Sequence, residues 1–208
     1  MMKQMADNAN NYSPQLNDTA FDIVAVAASA GGLNAVSEIL STLPATFSAA
    51  IAIVQHLSAR YPSVMAEILN RKTALKVKQA EEGDNLAPGT VYISPPDRHL
   101  LVNEGTVSLS YAESVRFLRP CADLLFESVA LNYKQRAIAL VLSGTGNDGS
   151  IGVGYIKKMG GTVIAQDKKT AEFFGMPSAA IQTGNVDLIV PLNEISNVLM
   201  TLVMGMQL

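Results

Sequence analysis

From Phe21 onward the chain alternates between two hydrophobic patterns. One is a short, nearly continuous apolar run rich in β-branched residues: Ile23–Ala28, Ala50–Gln55, Ala137–Leu142, Val163–Ala165 and Val186–Val190. The other repeats its apolar residues at helical spacing: Leu33–Leu43, Pro62–Arg71, Asp148–Met159, Met176–Thr183 and Leu192–Met206. Leu33, Val36, Ile39 and Leu40 share one helical face, as do Val198, Leu199, Leu202 and Val203. A strand that is apolar at every position has no polar face to offer water, so both of its faces must be covered. Such strands alternating with amphipathic helices predict an α/β fold, a doubly wound, mainly parallel sheet with helices on both faces.

The segment Gly89–Ala112 breaks this rhythm. Its short alternating runs are punctuated by Pro95-Pro96 and Glu104-Gly105, which predicts an inserted β-hairpin or meander. Phe117–Asp123 then leads into a helix running to Lys134, with Pro120 near its start. Residues 1–20 are rich in Asn, Gln, Asp and Ser and read as a flexible tail or linker stub, leaving 21–208 as one domain.

Composition narrows the classes. Of the 208 residues, 49% are hydrophobic and 16% charged, which excludes wholesale disorder. No apolar run reaches the ~18 residues of a membrane span, so direct membrane insertion is not expected and the apolar excess goes into a core. A net charge of -3 argues against a nucleic-acid partner. The single cysteine, Cys121, excludes an intrachain disulfide and zinc sites of the CxxC type. Met1–Asp18 has no apolar core of a secretory signal, so a cytoplasmic location is the expectation.

In an open parallel sheet, sites gather at the carboxyl ends of the strands. Three predicted strands end in Ala28-Ser29-Ala30-Gly31-Gly32, Gln55-His56-Leu57-Ser58 and Ser143-Gly144-Thr145-Gly146-Asn147-Asp148-Gly149. A serine hydroxyl becomes a nucleophile when a histidine takes its proton and an acid orients the ring. The chain has two histidines, and His99 falls in the predicted hairpin, so Ser29, His56 and Asp148 form the candidate set. Each has a plainer role open to it: Ser29 as a helix N-cap, His56 as a structural histidine. Gly144–Gly149 is also a full G-x-G-x-x-G run with Asp167 about 20 residues on, the fingerprint of a dinucleotide site with its ribose-binding acid. The same glycines would equally shape a loop presenting Asp148 to His56. Cys121, beside Arg119 at a helix start, is either a thiol of lowered pKa or a small buried residue.

Taken together, Ala28–Gly32, Gln55-His56-Leu57 and Gly144-x-Gly146-Asn147-Asp148-Gly149 resemble the catalytic domain of the CheB family, the bacterial chemotaxis protein-glutamate methylesterases. Pro96-Asp97-Arg98-His99, Arg119-Pro120 with Asp123, and Phe174-Gly175-Met176-Pro177 extend the resemblance from Asp22 to the C-terminus. It implies a serine hydrolase that removes methyl groups from glutamate γ-methyl esters and deamidates particular glutamines, with Ser29 as nucleophile, His56 as base and Asp148 as acid. No cofactor is implied. The implied partners are the cytoplasmic helices of methyl-accepting chemotaxis receptors. A receiver or methyltransferase domain is a further partner if the chain is part of a longer protein. Ala30 stands where the family commonly has threonine, and Thr145 where it commonly has methionine. Ala30, Thr145 and Gly146 are the candidate oxyanion supports, through backbone N–H groups. Arg60, Arg116 and Arg119 are candidates for a positive rim facing an acidic receptor helix. The family usually carries an N-terminal receiver domain, for which residues 1–20 leave no room; the expected cleft is open. Two other readings stay beside this one, a dinucleotide-binding module at Gly144–Gly149 and an inactive receptor-binding adaptor.

Overall fold

A computed structural model describes residues 21–56, 63–115 and 117–205. The apolar runs become the inner strands of a seven-stranded sheet. In chain order its strands are β1 (Ile23–Ala28), β2 (Ala50–Gln55), β3 (Lys76–Gln79), β4 (Thr90–Ile93), β7 (Ala137–Val141), β8 (Thr162–Gln166) and β9 (Leu188–Val190). Between β4 and β7 lies a separate antiparallel hairpin of β5 (His99–Asn103) and β6 (Thr106–Ser110), turning at Glu104-Gly105. The sheet order is β3-β4-β2-β1-β7-β8-β9, and every pairing in it is parallel.

Successive side chains of a strand point to opposite faces, and the core divides accordingly. Val24, Val26, Ile51, Ile53, Ile138 and Leu140 face one layer of helices: α1 (Gly32–Thr42), α2 (Met65–Asn70) and α6 (Leu192–Met204). Ile23, Ala25, Ala27, Ala139 and Val141 face the other: α3 (Ala122–Tyr133), α4 (Gly152–Lys158) and α5 (Gly175–Gln182), together with the hairpin. Alanines on this second face leave room for the fully buried Phe126 of α3. The doubly wound sheet and inserted hairpin match the fold expected from the sequence.

The boundaries differ in informative places. Thr90–Ile93, expected within the inserted meander, is instead a parallel strand of the main sheet, and Lys76–Gln79 is an edge strand the pattern missed. At four residues each they carry little periodicity, and Lys-Val-Lys-Gln reads as polar. The helix expected from Asp148 starts only at Gly152, because Gly149 turns through φ 91° and the residues before it form a loop. The helix α6 stops at Met204, ended by Gly205 in the left-handed region. The segment before Phe21, Pro62 of the second predicted helix and Met206 lie outside the described residues.

Candidate active site

The central strand β1 sends its connections first to β2 on one side and later to β7 on the other. That is a topological switch point, where strand ends splay to make a crevice. The ladder carries on past the strand ends: His56 N–H donates to Ala28 O at 3.1 Å, and Ser29 N–H donates to Ser143 O at 3.0 Å. Ser29, His56 and the Ser143–Gly149 loop therefore emerge side by side from three neighbouring strands.

Ser29 sits on a tight turn into α1. The turn needs Gly31, whose φ of 73° is left-handed and whose Cβ, if present, would lie 2.7 Å from Ser143 Oγ. The Ser29 carbonyl accepts from Gly32 N–H at 2.8 Å and from Gln55 Nε2 at 2.7 Å. Gly31 occupies the N-cap position, and no side chain caps α1 there. Ser29 is thus not the N-cap. On the neighbouring loop, a Cβ on Gly144 would lie 2.9 Å from Ser29 Cβ and 2.3 Å from Met176 Sδ. Only glycine lets that loop come so close to the serine.

His56 Nε2 and Asp148 Oδ2 are 2.8 Å apart, with the histidine side chain 15% exposed and the aspartate 2%. The Asp148 carboxylate also accepts from Ala122 N–H (2.6 Å), Asp123 N–H (3.1 Å), Cys121 Sγ (3.1 Å) and Gly149 N–H (3.0 Å). Its seat is the start of α3, where unpaired N–H groups and the helix dipole favour an anion. Burial works against the charge. The hydrogen bonds from His56, Ala122, Cys121 and Asp123 outweigh it and hold the carboxyl below its usual range. The same surroundings act oppositely on Cys121: burial, then the Asp148 charge, pushes the thiol up to about 12. Cys121 is a protonated donor, and the lowered-pKa reading does not hold.

Exposure rises outward from Asp148 through His56 and the half-buried Ser29 to the exposed Thr145, Gly146 and Asn147. Phe173 O and Met176 N–H grip the two sides of Gly144, so Phe174-Gly175-Met176-Pro177 backs this loop. Ala30 is fixed by its carbonyl, which accepts from Ser143 Oγ at 2.8 Å. Arg119 is engaged by its own chain at the surface, donating to Asp97 Oδ1 and to the carbonyls of Tyr111 and Ala112. Arg60 and Arg116 lie outside the described residues. His99 is fully buried and meets Glu113 O at 3.2 Å.

The dinucleotide reading of Gly144–Gly149 fails on the roles of its residues. Asp148 is turned to His56 and α3, Met176 fills the face of Gly144, and Asp167 accepts from Thr170 N–H and Oγ1 within its own turn. Cys121, Asp123 and Asp148 bring potential ligand atoms within 4.8 Å of one another. Those of Asp148 and Asp123 accept backbone N–H bonds and the thiol stays protonated, so the group holds itself together by hydrogen bonds.

Sequence reasoning quoted Asp123, Gln55 and Ser143 within its motifs but gave them no role, and it did not single out Gln166; all four are buried. Gln166 Oε1 accepts from Ser143 N–H at 2.9 Å, and the Ser143 hydroxyl bridges Ala30 O and Phe173 N–H. A signal for the glutamines was present: each is the polar last residue of a strand whose inner positions are apolar.

Residues 24–199 match a family model described as CheB methylesterase. A relative from Leptospira interrogans is 39% identical over 183 residues, covering 88% of this chain and 95% of its own length. The protein-glutamate methylesterase FrzG of Myxococcus xanthus is 40% identical over 181 residues, which are 86% of this chain and 54% of FrzG. A protein-glutamate methylesterase/protein-glutamine glutaminase of Moorella thermoacetica is 39% identical, over 88% of this chain and 45% of its own length. This chain therefore spans about half the length of these last two relatives. The crystal structure of the Thermotoga maritima CheB methylesterase catalytic domain superposes with a TM-score of 0.84 at 37% identity, covering 88% of this chain and 99% of that one.

Proposed function

The chain belongs to the CheB methylesterase family and is a carboxylic ester hydrolase, and we propose that it cleaves protein glutamate γ-methyl esters through Ser29, His56 and Asp148. The observation that carries this reading is the 2.8 Å contact of His56 Nε2 with a buried, charged Asp148 at the strand end beside Ser29. Asp148 holds the ring by Nε2, so Nδ1 is the nitrogen left to act as base. Ser29 Oγ attacks the ester carbonyl while Nδ1 takes its proton. The developing oxyanion is met by the N–H groups of Ala30, Thr145 and Gly146. Collapse expels methoxide, which takes the proton from His56 and leaves as methanol. Water, deprotonated by the same nitrogen, then opens the acyl-enzyme and releases glutamate. With a glutamine side chain the same steps release ammonia.

The family implies chemotaxis receptors as substrates. The finer reading places the esters on the receptors' cytoplasmic helices, the enzyme in the cytoplasm, and the catalytic domain over residues 21–208. Among the described residues no helix is long and apolar enough to cross a membrane. Arg119 is tied to Asp97 and to the carbonyls of Tyr111 and Ala112, so a positive rim for an acidic receptor helix would rest on Arg60 and Arg116, which lie outside the described residues. A receiver or methyltransferase domain in a longer parent protein is the natural partner for regulation. The direct test is methanol release from methylated receptor. Ser29→Ala should reduce it by several orders of magnitude with the fold intact. Release near the wild-type rate by this variant rejects the assignment.

A further inference from the structure

Asp148 lies in the loop before α4, yet its carboxylate serves the start of α3 through the N–H groups of Ala122 and Asp123. Asp123, in the first turn of α3, returns the arrangement. Its Oδ1 accepts from Ile151 N–H at 3.0 Å and Gly152 N–H at 2.8 Å, the start of α4. Neither helix is capped by a side chain at its own N-cap position. Each takes its cap from an acid belonging to the other's end. The two helices also touch with no space between them, since a Cβ on Gly152 would lie 2.6 Å from Phe126 Cβ and 3.0 Å from Asp123 O.

We propose that Asp123 is a positioning residue for the reaction: it ties the loop carrying Asp148 to the helix that holds the Asp148 carboxylate. This rests on the proposed triad. Thr145, Gly146 and Asn147 are exposed, and on this half of the loop the close backing is the backbone of Gly175 against Gly144 and Gly146. The strand β7 and the contacts of Ser143 and Gly144 anchor one end, and the Asp123 bonds anchor the other. With those bonds gone, the loop can shift while Asp148 stays chemically intact. A displacement on the order of 1 Å at a reacting group can cost ~100-fold in rate. Asp123 is itself 8% exposed, so its effect is expected in kcat rather than in KM.

The experiment compares Asp123→Ala, Asp123→Asn and Asp148→Asn for methanol release from methylated receptor. Folding is checked by circular dichroism. The hydrogen-bonded His56 Nε2 proton is followed by NMR. Asp123→Ala should lower kcat ~10–100-fold with KM within about twofold, and its His56 proton signal should broaden or vanish. Asp123→Asn keeps an acceptor oxygen and should recover most of the rate and the signal. If Asp123→Ala does not fold, Ile151→Pro reads the same contact from the other side. It deletes one donor at an exposed residue whose φ of -82° already suits proline, and it should lower kcat without raising KM. A folded Asp123→Ala enzyme with wild-type kcat and an unchanged His56 signal overturns the inference. An active Asp148→Asn enzyme overturns the triad reading instead, so the two failures are told apart.

Discussion

His56 and Asp148 are 92 positions apart in the chain and 2.8 Å apart in the fold, and the ring atom that meets the carboxylate is Nε2. The parallel sheet makes this meeting possible: His56 directly follows β2, and the Asp148 loop follows β7, the strand on the far side of β1. The aspartate therefore reaches over the end of β1, past the residue that starts the Ser29 turn. That geometry assigns Nε2–H to the neutral ring and leaves Nδ1 basic.

The first consequence separates the two histidines. His56→Gln should cut methanol release by several orders of magnitude. His99→Gln should chiefly lower stability, by about 1–3 kcal/mol, because it disturbs the contact of a fully buried ring at the start of the hairpin with Glu113 O. Nitrogen-15 spectra of labelled histidine should show the neutral His56 ring as the Nε2–H form. An inactive but well-folded His99→Gln enzyme would show that the base is wrongly assigned.

Asp148 also makes stability depend on pH. Its carboxyl is held below the unfolded value of about 3.9. The stability it contributes is therefore fully present above that value and is lost as the pH falls through the folded one. Asp148→Asn should be less stable than wild type by about 1–3 kcal/mol at neutral pH. The gap in urea unfolding should shrink once the pH drops below ~4. A gap that stays constant down to pH ~3 would mean that the carboxylate charge is not what the site stabilises.

Cys121 should behave as an inert thiol. It is buried, its pKa is pushed up to about 12, and it donates to Asp148. Iodoacetamide at pH ~8 should leave it untouched in the native enzyme and modify it fully in urea, since only the thiolate reacts. Cys121→Ser preserves the donor and should keep kcat within about threefold. Rapid alkylation of the folded protein would contradict the geometry at the start of α3.

The sheet and the position of the site were legible because their signals are local and repeated. Ile23–Ala28 is apolar at every position and Ala50–Gln55 at all but its last, and each is followed directly by a residue with chemistry to offer. The supports around them were not legible. Asp123 looks like an ordinary acid in the first turn of a helix until α4 is seen to dock against it. Gly144–Gly149 fits two functions equally well as a string of letters. The direction in which Asp148 points decides between them, and that direction is set by α3, whose first residue lies 26 positions upstream. Thr90–Ile93 was misplaced because strand identity at four residues depends on its neighbour β2, which no local pattern records.

The central claim is that Ser29 is the nucleophile, with His56 drawing off its proton. The most direct measurement is covalent trapping with a serine-directed phosphonate, followed by peptide mapping in the mass spectrometer. The account predicts one labelled residue, Ser29, in the wild-type enzyme, and labelling slowed at least ~100-fold in His56→Gln. Label on Ser143, on Ser58 or on any other serine, or undiminished labelling of Ser29 without His56, would contradict it.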